Sequence, residues 1–231
     1  MSEKTKKRKP TRSELDLMAG KGINTTRIKQ LKEFIAKPSP IIDECYELFD
    51  NESADLDRLK KELKKLIIED PYFCDPYISL AEIYQDEDNF FAALDFRMQA
   101  FQAAMSQVAN KEGEIPQKLE WGWIENRHII RAIDMWAYEL WYMDLPEVAL
   151  GLFRQLLKAN IGDNIGARNA ILAINLNLAP DFVTQWETKE GFLDGGKMMG
   201  WFDKNYKKFP EEFGWWEKAT RKKGLVEQVD S

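Results

Sequence analysis

An all-α fold, assembled from helical hairpins stacked in series, is what this sequence predicts, and three observations carry that expectation. Apolar residues recur at helical spacing, as at Leu56, Leu59, Leu63, Leu66 and Ile67, and no segment sustains an alternation of period two. Residues 121–178 divide into three helical segments, joined near Asp144-Leu145-Pro146 and across Asn160-Ile161-Gly162-Asp163-Asn164. Those joints are rich in residues that end one helix and start the next. The pattern also repeats along the chain, so each hairpin has a neighbour on which to bury its apolar side.

Taken in order, the chain opens on a basic tail, residues 1–12, expected to be disordered. A helical leader is predicted over 13–40. Ser13 would cap a short helix to Met18, and Gly20 and Gly22 break the pattern. A second helix starts at Asn24 or Thr25, presents Ile28, Leu31, Phe34 and Ile35 on one face, and stops before Pro38 and Pro40. Residues 41–190 carry the repeating part. Ile42, Tyr46 and Phe49 mark one helix, and the Leu56–Ile67 series marks the next, ending at Asp70-Pro71. Tyr77, Leu80, Ala81 and Tyr84 then pair with Ala93, Leu94, Ala100 and Phe101; small residues at Ala81 and Ala93 permit close helix approach.

An insertion near 108–129 separates this pair from Trp136, Ala137, Leu140, Ala149 and Phe153, and Ala167, Ala170, Ile171 and Ile174 begin a further helix. Next come Phe182, Val183 and Trp186, with breaks at Gly191 and Gly195-Gly196. Met199, Phe202 and Tyr206 follow, stopping at Pro210, and Phe213, Trp215 and Trp216 open a last helix. Residues 191–231 are predicted to form an aromatic C-terminal cap over the terminal apolar face.

The spacing Tyr77-x2-Leu80-Ala81-x2-Tyr84 followed by Ala93 and Ala100 resembles the tetratricopeptide repeat, whose unit is about 34 residues. The resemblance covers roughly residues 41–190. It implies a short right-handed solenoid whose first helices line a concave face. The chain departs from the repeat pattern at Leu59, Arg97 and Ile161. Separately, Trp121-Gly122-Trp123-Ile124-Glu125-Asn126-Arg127 together with Asn160-x2-Asp163-Asn164-x-Gly166-x-Arg168 looks like a bacterial group of repeat proteins of unassigned role, a likeness that brings no activity with it.

Composition narrows the function classes. The 231 residues, 44% apolar, suffice for one core or one short solenoid. All eight Trp lie beyond residue 120, which places the heavier packing or binding surface in the second half. Net charge is −6, but residues 1–12 hold six basic groups and one acid; the remaining 27 basic and 38 acidic residues leave a body of −11. Such a body disfavours nucleic acid, so only the basic tail is a candidate for that partner or for a targeting signal. Cys45 and Cys74 lack CxxC spacing, which speaks against a disulfide framework or a zinc site. No apolar run approaches the ~20 residues of a membrane span. The basic start is not followed by an apolar stretch, so no secretory signal is expected and a cytoplasmic setting is the default.

Chemistry-bearing motifs are sparse. His128 is the one histidine, and beside Ile129 and Ile130 it reads as a structural residue rather than a base. No HxxxH, HExxH, phosphate-loop or dinucleotide motif occurs, and Asp86-Glu87-Asp88 lacks the Gly and distal Glu of a calcium loop. No catalytic residue, cofactor or metal is therefore expected. Arg168 gains nothing from the helix start on which it sits, so it answers either a carboxylate or a ligand's acidic group, and Arg127 raises the same question. The expected role is a non-catalytic protein-binding scaffold or adaptor, taking a peptide or helix by aromatic anchors and polar clamps. Its candidate partner-binding residues are Tyr77, Tyr84, Trp121, Trp123, Asn126, Arg127, Asp134, Tyr138, Trp141 and Arg168. The alternative is a nucleic-acid-associated or regulatory adaptor that uses the basic tail.

Overall fold

The computed structural model describes residues 8–49, 55–189 and 191–224. Among them the regular elements are helices, apart from one isolated bridge between Glu187 and Leu193. The first seven tail residues lie outside the described set. Helix α1, Arg12–Met18, is capped by Thr11 rather than Ser13. The Thr11 hydroxyl accepts from the Glu14 N–H and the Glu14 carboxylate accepts from the Thr11 N–H, which is the reciprocal pairing of a capping box. Helices α2, Ile42–Glu47, and α3, Leu56–Glu69, enclose a small core of Ile41, Cys45, Leu59, Leu63 and Leu66 with Phe73 and Leu80.

The main body follows as α4, Asp75–Asp86; α5, Phe90–Val108; α6, Arg127–Tyr142; α7, Pro146–Ala159; and α8, Ala167–Asn175. From α3 to α8 every helix packs on the next. Ala81 and Ala93, both fully buried, lie on the paired helices α4 and α5. Three turns share one geometry. Asp88, Asp144 and Asn177 adopt left-handed backbone, at φ 58, 64 and 56. In each turn the next residue's N–H returns to a carbonyl five residues back: Asn89 to Tyr84, Leu145 to Leu140 and Leu178 to Ala173. That is the helix-ending 6→1 bond, and it satisfies carbonyls the helix leaves open. The turns put Leu80, Trp136 and Asn169 in matching positions, followed by the fully buried Ala81, Ala137 and Ala170.

The leader departs from expectation. Residues 24–37 are not helical. They run extended and exchange backbone bonds with the insertion: Lys111 N–H to Arg27 O, Gln117 N–H to Leu31 O, Phe34 N–H to Lys118 O and Lys118 N–H to Lys32 O. Long-range pairing thus replaces the i→i−4 bonds a helix would supply, and at the start of the segment the Asn24 side-chain oxygen turns the chain by accepting from the Arg27 N–H. Ile28 and Ile35, expected on a buried helix face, are exposed, whereas Ala36 is buried. Asn126 pins the strap: its Oδ1 accepts from Ala36 N–H and its Nδ2 donates to Phe34 O and Glu120 O.

Strap and insertion lie on one side of the body. The Asn24 amide donates to Ser106 O on α5, Ile115 N–H donates to Gln155 Oε1 on α7, and the Trp136 indole donates to Met18 O. At the other end, the helical turn at Phe182–Trp186 stops before Gly191, Gly195 and Gly196 open α9, Gly195–Asn205, and Pro210, beyond the end of that run, opens α10, Pro210–Lys223. Phe202, Phe213 and Trp216 bury together there. The Trp216 indole donates to Ile161 O, and Arg154 on α7 grips Glu212 bidentately.

Gly113 sits at φ 78 with no room for a side chain, because a Cβ there would stand 2.7 Å from the Ala19 carbonyl oxygen, on backbone that cannot swing aside. Gly113→Ala is therefore expected to cost about 1–3 kcal/mol. The thermal midpoint should fall by several degrees at ~2–4 °C per kcal/mol. Gly122→Ala, facing open space, should stay within ~0.5 kcal/mol. Equal melting curves for the two variants would contradict the docking of the insertion on the leader.

Candidate functional site

On α6 successive residues turn by about 100°, so Trp136 points roughly opposite to Asp134 and Tyr138. Since Trp136 reaches the leader at Met18 O, Asp134 and Tyr138 face away from that contact. Residues three or four apart extend this stripe: Arg127, Arg131, Asp134, Tyr138, then Trp141 and Tyr142.

At the start of the stripe, Trp121 carries two guanidinium groups, Arg127 at 5.2 Å and Arg131 at 5.9 Å from its ring centre. Arg131 also holds the buried Asp75 of α4 through Nε at 3.2 Å and Nη2 at 2.5 Å, and the Tyr46 hydroxyl donates to the same carboxylate at 2.9 Å. Arg127 has no carboxylate partner among the described residues; its Nε donates to the Trp121 carbonyl at 3.1 Å. An ion pair therefore does not account for Arg127. Behind the stripe, His128 is buried and burial pushes its pKa down to about 4. The neutral ring accepts the Cys74 N–H on Nδ1, so this histidine ties α4 to α6 and is no free base.

Midway, Arg97 of α5 pairs with Glu139 at 2.7 Å and donates to Gln85 at 3.3 Å. These three, with Met135, Tyr138 and Tyr142, border an open cleft of about 430 Å³. Near the far end of the stripe lies a buried acid cluster. Asp163, in the loop before α8, accepts from the Arg168 N–H at 3.2 Å and pairs with the Arg168 guanidinium at 3.3 Å, so the ion-pair reading of Arg168 holds. That guanidinium lies over Phe202 and Trp216, at 5.2 and 5.4 Å from their ring centres. Asp134 keeps some residue exposure, but its Oδ1 is sealed from solvent without a partner. Burial, with the charge of Asp163 added, pushes Asp134 up to about 8. Burial raises Asp163 to about 7 against the opposing pull of Arg168. Beyond Tyr138 an aromatic series continues through Trp141, Phe182 and Trp201 to Trp186.

Of the residues expected to bind a partner, Asp134, Tyr138, Trp141 and Arg168 gather toward this far end, and Trp121 and Arg127 stand at the other. Tyr77 is buried and donates to Pro71 O, so it is no groove residue. Trp141 is buried as a wall of the aromatic series, not an exposed anchor. Tyr84 turns to α3 and α5, stacked on Phe96 with Lys60 and Lys64 over its ring. Asn126 holds the strap, and Trp123 is exposed on the 3-10 turn before α6. Sequence reasoning overlooked Asp75, Arg131, Glu139 and Asn169. Asn169 alone carried a signal, as a polar residue at the apolar position occupied by Leu80 and Trp136. Arg8 and Arg12 of the basic tail pair with Glu14 and Asp16, and Arg221 and Lys223 with Glu217 and Glu120. No group of three or more His, Cys, Asp or Glu among the described residues is placed to hold a metal, and none of their helices is long and apolar enough to cross a membrane.

A carboxyl with a raised folded pKa keeps a proton that the unfolded chain has lost. Asp134 therefore withdraws stability as pH climbs from about 4 to about 8. The slope is ~1.4 kcal/mol per pH unit per proton. Asp134→Asn removes that proton, so its melting temperature should gain on the wild type by several degrees between pH 5 and pH 8. Parallel melting-temperature profiles would show that Asp134 ionises freely in the fold.

No protein-family model, curated protein or solved structure matches the chain.

Proposed function

We propose that this protein is a non-catalytic interaction module, a tetratricopeptide-like scaffold that takes an extended peptide or a helix along α4, α6 and α8. The supporting observation is the asymmetry of the body. Its own strap and insertion occupy the side of α5 and α7, bonding to Ser106 and Gln155, while among the described residues no segment crosses the cleft at Tyr138 and Tyr142 on the opposite side. That side offers aromatic surface at Tyr138 and Tyr142, polar hooks at Glu82, Gln85 and Arg131, and partly exposed Met135. Aromatic and arginine side chains are the types that dominate binding energy at interfaces, and Met adapts to varied partners. A peptide-binding reading also explains why a half-buried ion pair, Arg97–Glu139, borders the cleft. Held in place before a partner arrives, it loses little freedom on binding.

The test is site-specific photocrosslinking in extract of the native host. A photoreactive residue at Tyr142, on the open side, should yield a discrete adduct that Tyr138→Ala abolishes. The same residue at the exposed Leu17, on the leader, should yield none. Adducts from Leu17 alone, or no adduct from Tyr142, would overturn this reading.

A further inference from the structure

Five buried side-chain polar atoms among the described residues lack a hydrogen-bond partner, and four belong to the acid cluster: Asp134 Oδ1, Asp163 Oδ1, Asn169 Oδ1 and Arg168 Nε. Buried polar atoms are nearly always paired, so this concentration marks a place built for something else. The imbalance has a sign: three acceptors stand against one donor. Asp163 and Asn169 are themselves 6% and 5% exposed, so bulk water does not satisfy them. Asn169 occupies the position filled by Leu80 and Trp136 in the preceding hairpins, where an apolar side chain would leave nothing to satisfy.

The charges point the same way. Asp163 faces the Arg168 guanidinium, Asp134 faces Asp163, and no second cation among the described residues pairs with either carboxylate. Helix α6 contributes Asp134 and Tyr138, the loop contributes Asp163, and α8 contributes Arg168 and Asn169. Helix α9 contributes Met198, whose sulfur accepts the Asn169 amide at 3.8 Å, and Phe202; α10 contributes Trp216. With both carboxyls ionised the cluster is one positive charge short.

We propose that this cluster is the receptor for a single ammonium group, carried by a lysine side chain or N-terminus of a bound polypeptide or by a free alkylamine. An ammonium supplies hydrogen-bond donors and a positive charge on one centre, the two things that the orphaned acceptors and the uncompensated carboxylates lack. A neutral water supplies two donors and no charge, and a guanidinium would crowd the one already there. The peptide-borne form rests on the scaffold reading above; the amine site itself does not. In the empty state one carboxyl retains a proton in place of the cation, so binding exchanges that proton for the ammonium and releases it to solvent.

The experiment is calorimetric titration of the full chain with n-butylamine at pH 7, in two buffers of different ionisation enthalpy, with n-butanol as the neutral analogue. Saturable butylamine binding with release of close to one proton is expected, with no binding of butanol. Affinity should rise about tenfold between pH 6 and pH 7, as expected while the carboxyl to be ionised lies above the working pH. Asp134→Asn should weaken butylamine at least tenfold and abolish the proton release. Asn169→Leu, restoring the apolar type at that position, should also weaken it while circular dichroism reports an intact fold. A lysine peptide competing with butylamine, where its Nε-acetylated form does not, assigns the site to polypeptide; competition by neither leaves the free amine as ligand. Butylamine binding no tighter than butanol, or equally tight in Asp134→Asn, overturns the proposal. Those outcomes are read independently of crosslinking at Tyr142, so failure of the scaffold reading and failure of the amine site are distinguishable.

Discussion

Helix α6 must bury two of its sides at once, and most of the molecule is arranged by that demand. Trp136 stacks on Phe101 of α5, and Ala132, Ile133, Ala137 and Leu140 are fully buried where α6 packs between α5 and α7. Between those commitments only a narrow stripe remains for polar groups. Arg127, Arg131, Asp134 and Tyr138 stand on it, with Met135 and Glu139 along its border at the cleft. Full burial of an aliphatic side chain contributes roughly 1.5–3 kcal/mol, several times what an exposed ion pair supplies. Apolar packing therefore sets the helix rotation and the charges adapt to it.

The adaptation is visible in how each charge is answered. Arg131 reaches across to Asp75 and Tyr46, Arg97 reaches to Glu139, and Arg168 lies between Asp163 and two aromatic rings. Asp134 has no such answer. A carboxylate isolated from water holds its proton more tightly, since the charged form loses solvation that nothing replaces. The raised pKa values of Asp134 and Asp163 and the orphaned oxygens are two expressions of one deficit of positive charge at that end of the stripe.

The strap decides which side of the body is available. Hairpin stacks expose two broad surfaces, and this chain covers one of them with its own leader and insertion. Gly113, in left-handed backbone, lets the insertion approach the leader at Ala19, and Gly20, likewise left-handed, lets the leader lie against Phe101 and Met105 of α5. The insertion, which by position in the sequence stood beside Arg127 and the open face, is spent on the covered side, except where Trp121 reaches the two arginines.

Local residue pattern determined the helical class, the hairpin turns at Asp88 and Asp144, the helix pair centred on Ala81 and Ala93, and the structural roles of His128 and Arg168. These follow from helical periodicity, helix-ending residues and the low chance of an isolated imidazole acting alone, all of which operate within a few residues along the chain. Tertiary structure decided the rest. Residues 24–37 carry a helical apolar spacing and yet lie extended, because backbone bonds to 111–118 became available only once the insertion had docked. Tyr77 and Trp141 were indistinguishable in sequence from Tyr138, and their burial was settled by helix rotation about a core formed from distant segments. The pairing of Asp75 with Arg131, 56 positions apart, and the meeting of Asp134 with Asp163 across two helices are contacts that no local pattern encodes. Charge interactions depend on distance and burial, and both exist only after the chain has closed on itself.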